Sequence, residues 1–219
     1  METDNKRWEV YCYKKEFDLL KNDEKFLNIL KLSRITNAIY FCHISAIKTS
    51  KEKTPSNSRQ IINSLIYANA ILFEGVNCAK FLGKFYKDKT EYLNGFAKLF
   101  KSQKFRNLYN KYLKNIRNKI SFHFDISILG KTIADFDSNE NIFATGLGEK
   151  RCDTYYNLAD EIAIHYLIRE SNISDKDLKE RFSTLLSDLE VIISDFIVSS
   201  DNLIAICIKE FGFKFRYIT

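Results

Sequence analysis

Along most of this chain, apolar residues recur three to four positions apart, and strict alternation is confined to a few residues. That spacing belongs to helices that bury one face. Residues 19–49 carry Phe26, Ile29, Leu30, Ser33, Phe41 and Ile44 on it and are predicted as one helix with these positions inward. Lys51 to Asn57 is a polar break holding Pro55, and Ser56 or Ser58 is placed to cap the next helix. That helix is predicted over 59–87, with Ile62, Leu65, Ile66, Leu72, Phe73, Val76 and Leu82 inward. A third helical region covers 90–122, with a candidate break near Lys101 to Gln103, and a short helix follows over 126–137. Residues 138–153 read as a polar loop with room for a short strand at Ile142-Phe143-Ala144. Another helix is predicted over 155–170, and Ser174 to Asp177 suits the N-cap of the last one. The last helix has the clearest stripe: Leu178, Phe182, Leu185, Leu189, Ile192, Phe196, Leu203 and Ile206. Ser199-Ser200-Asp201 marks a candidate kink or division in it. Gly212 is expected to end it, leaving 213–219 as a tail. Residues 1–18 stay unassigned: Trp8, Val10 and Cys12 alternate briefly, but Lys14-Lys15-Glu16 suits a helix.

These elements predict an all-α fold, an up-and-down helical bundle in a single domain over 1–219. Its core would span about 19–137, with additional C-terminal helices over about 154–211 and a loop or short β element near 138–153. Composition agrees. Seven Gly and one Pro stand where average usage would give about 26 together. So few turn formers argue against a sandwich, a barrel or a Gly-rich nucleotide-binding unit. Gly146-Leu147-Gly148-Glu149-Lys150 lacks the spacing and the Ser/Thr of a phosphate loop and reads as ordinary loop.

Cysteine usage points to reduced thiols: the five, Cys12, Cys42, Cys78, Cys152 and Cys207, are widely spaced with no Cys-x-x-Cys pair. None of the three His (His43, His123, His165) has ligand spacing with a Cys pair, so no metal and no cofactor is expected. Met1 to Arg7 has no apolar run behind it. Val191 to Ile208 is apolar but carries Asp195, Asp201 and Asn202, which suits a core helix better than a membrane span. The expected location is cytoplasmic, with no membrane partner.

Charge changes the picture. The net +6 is not spread evenly. From Tyr92 through Phe124 there is no Asp or Glu, but there are Lys98, Lys101, Lys104, Arg106, Lys111, Lys114, Arg117 and Lys119. Tyr92, Phe96, Phe100, Phe105, Tyr109, Tyr112, Phe122 and Phe124 are interleaved with them. Cations hold phosphates and exposed rings stack on bases, so this segment is a candidate nucleic-acid contact. Lys104, Arg106, Lys111, Lys114 and Lys119 are its candidate RNA-binding residues. The competing reading is a solvated helix face, its Phe residues belonging to the core.

Inside the segment stands Arg117-Asn118, four more residues, then His123. This resembles the motif of the HEPN superfamily (higher eukaryote and prokaryote nucleotide-binding domains), in which an Arg, a polar residue and a His occur at such spacing. The resemblance implies a metal-independent endoribonuclease with Arg117, Asn118 and His123 as catalytic residues. RNA supplies its own 2′-OH nucleophile. His123 would move the proton, Arg117 would hold the phosphate as charge builds, and Asn118 would orient the His or bond the phosphate. The implied products are a 2′,3′-cyclic phosphate and a 5′-OH. The family builds its site from two facing motifs. This chain has one, so a homodimer with a composite site is implied, as is a toxin or phage-defence role restrained by an antitoxin or regulatory protein.

Helix geometry sets a condition: six residues turn through about 600°, leaving Arg117 and His123 about 120° apart unless the helix ends or bends near Ser121-Phe122. Glu74, in the apolar stretch Ile71 to Val76, is read either as a group orienting Arg117 from behind or as a merely exposed or paired carboxylate. His43 and His165 lie on apolar faces and read as structural. The alternative function is a non-catalytic RNA-binding or protein-interaction helical module.

Overall fold

The structure, a computed structural model, describes residues 7–49, 55–114, 117, 162 and 178–218. The elements expected at 126–137, 138–153 and 155–170 lie outside these, apart from Ile162, which is helical and buried. The fold is all-α with one small β element.

A long hairpin forms the frame. Helix α1 (Lys14–Leu20) leads into α2 (Glu24–Thr49), and α3 (Pro55–Tyr86) runs back along α2. Asp23 starts α2: its Oδ1 accepts from the Phe26 N–H at 2.7 Å, satisfying a donor that the first turn leaves unpaired. Gln60 donates to Ser45 Oγ (2.9 Å) at one end of the pair, and the Cys78 thiol donates to the Asn28 carbonyl (3.4 Å) at the other.

Two inward positions expected on α2 are corrected: Leu30 is 44% exposed and Phe41 74% exposed. The buried stripe is Ile29, Leu32, Ile35, Thr36, Ile39 and Cys42, a 3–4 spacing turned slightly from the predicted one. Thr36 is tolerated inside because its hydroxyl donates to the Leu32 carbonyl at 2.9 Å.

The described part of the basic region holds two short helices. Helix α4 covers 90–101 and contains a π-helical turn at Leu93–Ala97. Helix α5 covers 103–114, with a second π turn at Tyr109–Leu113. The expected break is Ser102, in extended conformation, whose Oγ accepts from the Phe105 N–H at 3.2 Å and caps α5.

Helix α6 (Leu178–Glu210) closes the bundle against α2 and α4. It is not divided at Ser199-Ser200-Asp201. Both serine hydroxyls bond back to their own helix, Ser199 to the Asp195 carbonyl (2.6 Å) and Ser200 to that of Phe196 (2.8 Å). Leu189, Ile192, Ile193, Phe196, Leu203 and Cys207 fill the centre against Leu72, Val76 and Leu82 of α3. By length and composition alone, Arg59–Tyr86 and Ser183–Glu210 could also cross a membrane.

Helix α6 stops at Glu210, and Gly212 takes φ +72°, a left-handed conformation that glycine adopts without steric penalty. The chain then forms β2 (Lys214–Ile218), antiparallel to β1 (Arg7–Tyr11), with Val10 opposite Phe215 and Glu9 opposite Arg216. The segment expected as a tail is therefore a strand. Five residues give no helical stripe, and the partner strand lies at the other end of the sequence.

Candidate functional site

Helices α4 and α5 pack their apolar side inward and leave their cations outside. Tyr92, Phe96, Leu99, Phe105, Leu108 and Leu113 are buried, while Lys98, Lys101, Lys104, Arg106 and Lys114 are exposed. The expectation that Phe residues here serve the core holds for Phe96 and Phe105. Among the described residues, Lys104 pairs with Asp188 of α6 at 2.7 Å, and the Arg106 Nε–H donates to the Phe100 carbonyl at 3.4 Å. Lys111 lies on the second π turn. Asn118, Lys119 and His123 lie outside the described residues.

A run of rings connects the core to this surface. Phe96 stacks on Phe100 (centroids 5.7 Å apart), Phe100 meets Phe105 (5.2 Å), and Phe105 stacks on Tyr109 (5.6 Å). Tyr109 then lies nearly parallel to Phe73 of α3, with centroids 5.6 Å apart and planes 12° from parallel. The Tyr109 hydroxyl donates to Asn77 Oδ1 at 3.2 Å, and Lys80 Nζ sits 4.0 Å from the Tyr109 ring centroid. Such a cation is attracted to the negative face of the ring.

Arg117 stands at the end of this run. Its guanidinium carbon is 6.0 Å from the Phe73 centroid. Both Nε (3.1 Å) and Nη2 (3.0 Å) donate to Glu74 Oε1. Both side chains are about one-third exposed, 35% for Arg117 and 38% for Glu74, so the pair lies at the surface rather than in the core. Glu74 is the only acid between Lys53 and Lys87. The sequence offers two readings for it, a group orienting Arg117 and a merely exposed or paired carboxylate; its carboxylate is paired with the Arg117 guanidinium, a contact that fits either.

The cations of this cluster can hold an anion, while its rings pack on one another. The guanidinium itself moves no proton, because it stays protonated at any physiological pH. Sequence reasoning missed Phe73, Asn77 and Lys80 as members. They recur at i, i+4 and i+7 on α3, which was the available signal, but Phe73 adjoins the apolar stripe and was assigned to the core.

Elsewhere, His43 is half-buried and lines a cavity of about 220 Å³ with Cys42, Ser64 and Glu190. Burial pushes the Cys42 and Cys78 thiols up from their ordinary value and Cys207 up to about 11, so these thiols are poor nucleophiles. Among the described residues, no group of three or more His, Cys, Asp or Glu is placed to hold a metal ion. No family model, no curated protein and no solved structure matches this chain.

Proposed function

We propose that this protein is a metal-independent endoribonuclease of HEPN type, cleaving RNA by attack of the 2′-OH on the adjacent phosphate. The observation that carries the reading is the position of Arg117: it lies in a cationic, aromatic segment free of acids, and its guanidinium is paired with Glu74 of α3. Arg117 then holds the phosphate, His123 moves the proton, and Asn118 orients one or the other. Lys104, Arg106, Lys111, Lys114 and Lys119 hold the strand. Two chains contribute one motif each to a composite site. The protein is cytoplasmic and soluble in this reading, with α3 and α6 as core helices, and acts as a toxin or defence effector held in check by a regulatory protein.

The test is cleavage of mixed RNA in EDTA by the wild type, Arg117→Ala and His123→Ala. The reading expects cleavage by the wild type alone, with 2′,3′-cyclic phosphate ends. Three identical outcomes would remove it. Mixing the two inactive variants should leave activity lost if each half-site needs both residues, and restore part of it if Arg and His act across the dimer.

The ion pair itself favours a second reading. A guanidinium engaged by a carboxylate also makes a structural clasp between α3 and the basic segment, which would suit a non-catalytic RNA-binding module. That reading predicts RNA binding without cleavage, its log affinity falling by about 0.7 per phosphate contacted for each tenfold rise in salt on a single strand.

A further inference from the structure

Between α4 and α6 lies a second concavity, a cleft of about 440 Å³ away from the Arg117–Glu74 pair. Its origin is local. The π turn Leu93–Ala97 forms one wall, and Gly95 brings that wall so close to α6 that an added Cβ would stand 3.0 Å from both Ser199 Cβ and Oγ. Extra residues of this kind inside helices recur at functional sites, because they redirect the side chains around them. The floor is Gly95, Leu99 and Ser199, and the walls carry polar groups.

The register of the two helices is antiparallel. Lys89 pairs with Glu210, Gly95 abuts Ser199, and Lys104 pairs with Asp188. Asn94 therefore stands roughly level with Asn202 on the opposite wall, and Lys98 roughly level with Asp195. The side chains of Asn94, Lys98 and Asn202 make no hydrogen bond or ion pair among the described residues. In contrast, Lys25, Lys89, Lys104, Arg117 and Arg216 all hold carboxylates.

We propose that this cleft binds a nucleobase-bearing ligand. The volume falls in the range of small-molecule sites, about 300–1,000 Å³. Two facing amides, each offering a donor and an acceptor, suit the mixed donor–acceptor edge of a base. Leu99 contributes the apolar part of the floor. Asp195 and Glu91 can accept from ribose hydroxyls, and Lys98 can donate to a carbonyl or a single phosphate. Two carboxylates against one lysine disfavour a polyphosphate, and the polar walls disfavour a lipid. The proposal does not rest on the ribonuclease reading.

The same chemistry is offered by a free nucleotide and by one nucleotide of a strand, and the experiment separates them. The full chain is titrated with the four ribonucleosides, their 5′-monophosphates and a short oligoribonucleotide, by calorimetry and thermal shift. At least one base-bearing probe should bind, and Asn94→Ala and Asn202→Ala should each weaken it about tenfold, the loss of one well-made hydrogen bond. Both asparagines are exposed, so the variants should keep the wild-type circular dichroism melt. Lys31→Ala, exposed on α2 and outside the cleft, should leave binding of the free nucleosides unchanged. Binding of free nucleotides identifies a small-molecule site. Binding of the oligonucleotide alone, with the same asparagine sensitivity, identifies a seat for one nucleotide of a strand. The proposal is overturned if no base-bearing probe binds, if binding ignores both asparagine substitutions, or if amino acids, sugars or polyamines bind equally well.

Discussion

Gly75 shows how one residue sets a distance between helices. A Cβ there would lie 2.5 Å from Phe196 Cζ and 2.9 Å from Ile35 Cγ2, both in the centre of the bundle. Phe196 and Ile35 are both buried, so Gly75→Ala should destabilise by about 1–3 kcal/mol as an overpacked site. The check is the urea midpoint, which should fall while the slope of the transition stays constant. At the same scale, Glu74 is expected to act on Arg117 rather than on RNA. Glu74→Gln removes a negative charge beside the basic segment, so RNA affinity should hold or rise. The single-turnover cleavage rate should fall, because the guanidinium loses its fixed direction. A parallel loss of both would show Glu74 to be needed only for folding.

These residues also mark what the sequence could and could not reveal. Arg117 and Glu74 stood out because each interrupts its surroundings, one by its motif and the other as a lone acid in an apolar stretch. Their contact spans 43 positions and no local pattern encodes it. Phe73 packs against the core as its spacing predicts; its stacking on Tyr109, and with it the place of Asn77 and Lys80, is a long-range contact that no local pattern encodes.

Among the described elements, helix existence was legible; helix phase was legible on α3 and α6, and failed on part of α2 and at the π turns. The break at Ser102 was expected from polar residues, and the serine proves to be a cap. Ser102→Ala should therefore cost about 1 kcal/mol, within the usual range for losing such a cap, read as a lowered denaturation midpoint. The π turns left a trace only in hindsight: Leu108 and Leu113 are both buried and five residues apart, a step that a continuous α-helix does not place on one face. In α2 the error had a different source. Apolar residues occur on more than one side of that helix, so Leu30 and Phe41 satisfied the 3–4 spacing without being buried. Helix α6 survives its Ser-Ser-Asp because small hydroxyls bonded to their own backbone allow α4 to approach at Gly95, where a larger side chain would hold it off.

The whole molecule is tied together at the end of the bundle where the chain finishes. Glu210, the last residue of α6, accepts from Lys25 of α2 and from Lys89, just before α4, each at 2.8 Å. Beyond it, Gly212 turns the chain so that β2 pairs with β1 and joins the two ends of the sequence. The hydrogen bonds from Lys25 and Lys89 hold the Glu210 carboxyl below its ordinary value of 4.5. A carboxyl whose folded value is depressed stabilises the fold above its unfolded value, and that contribution disappears as pH falls through the folded value. Lys89 is raised above 10.5 by the same partner, so its contribution persists at neutral pH and is lost only as pH rises through that higher value. The clasp should therefore be complete across the neutral range. Wild type should be more stable than Glu210→Gln at pH 7. The gap should begin to narrow below about pH 4.5 and close once Glu210 is protonated in the folded protein. Urea midpoints of the two proteins between pH 3 and 8 measure it. A gap of constant size over that range would mean that the glutamine loses packing rather than charge, and that Glu210 does not bind the three segments through its ionised carboxylate.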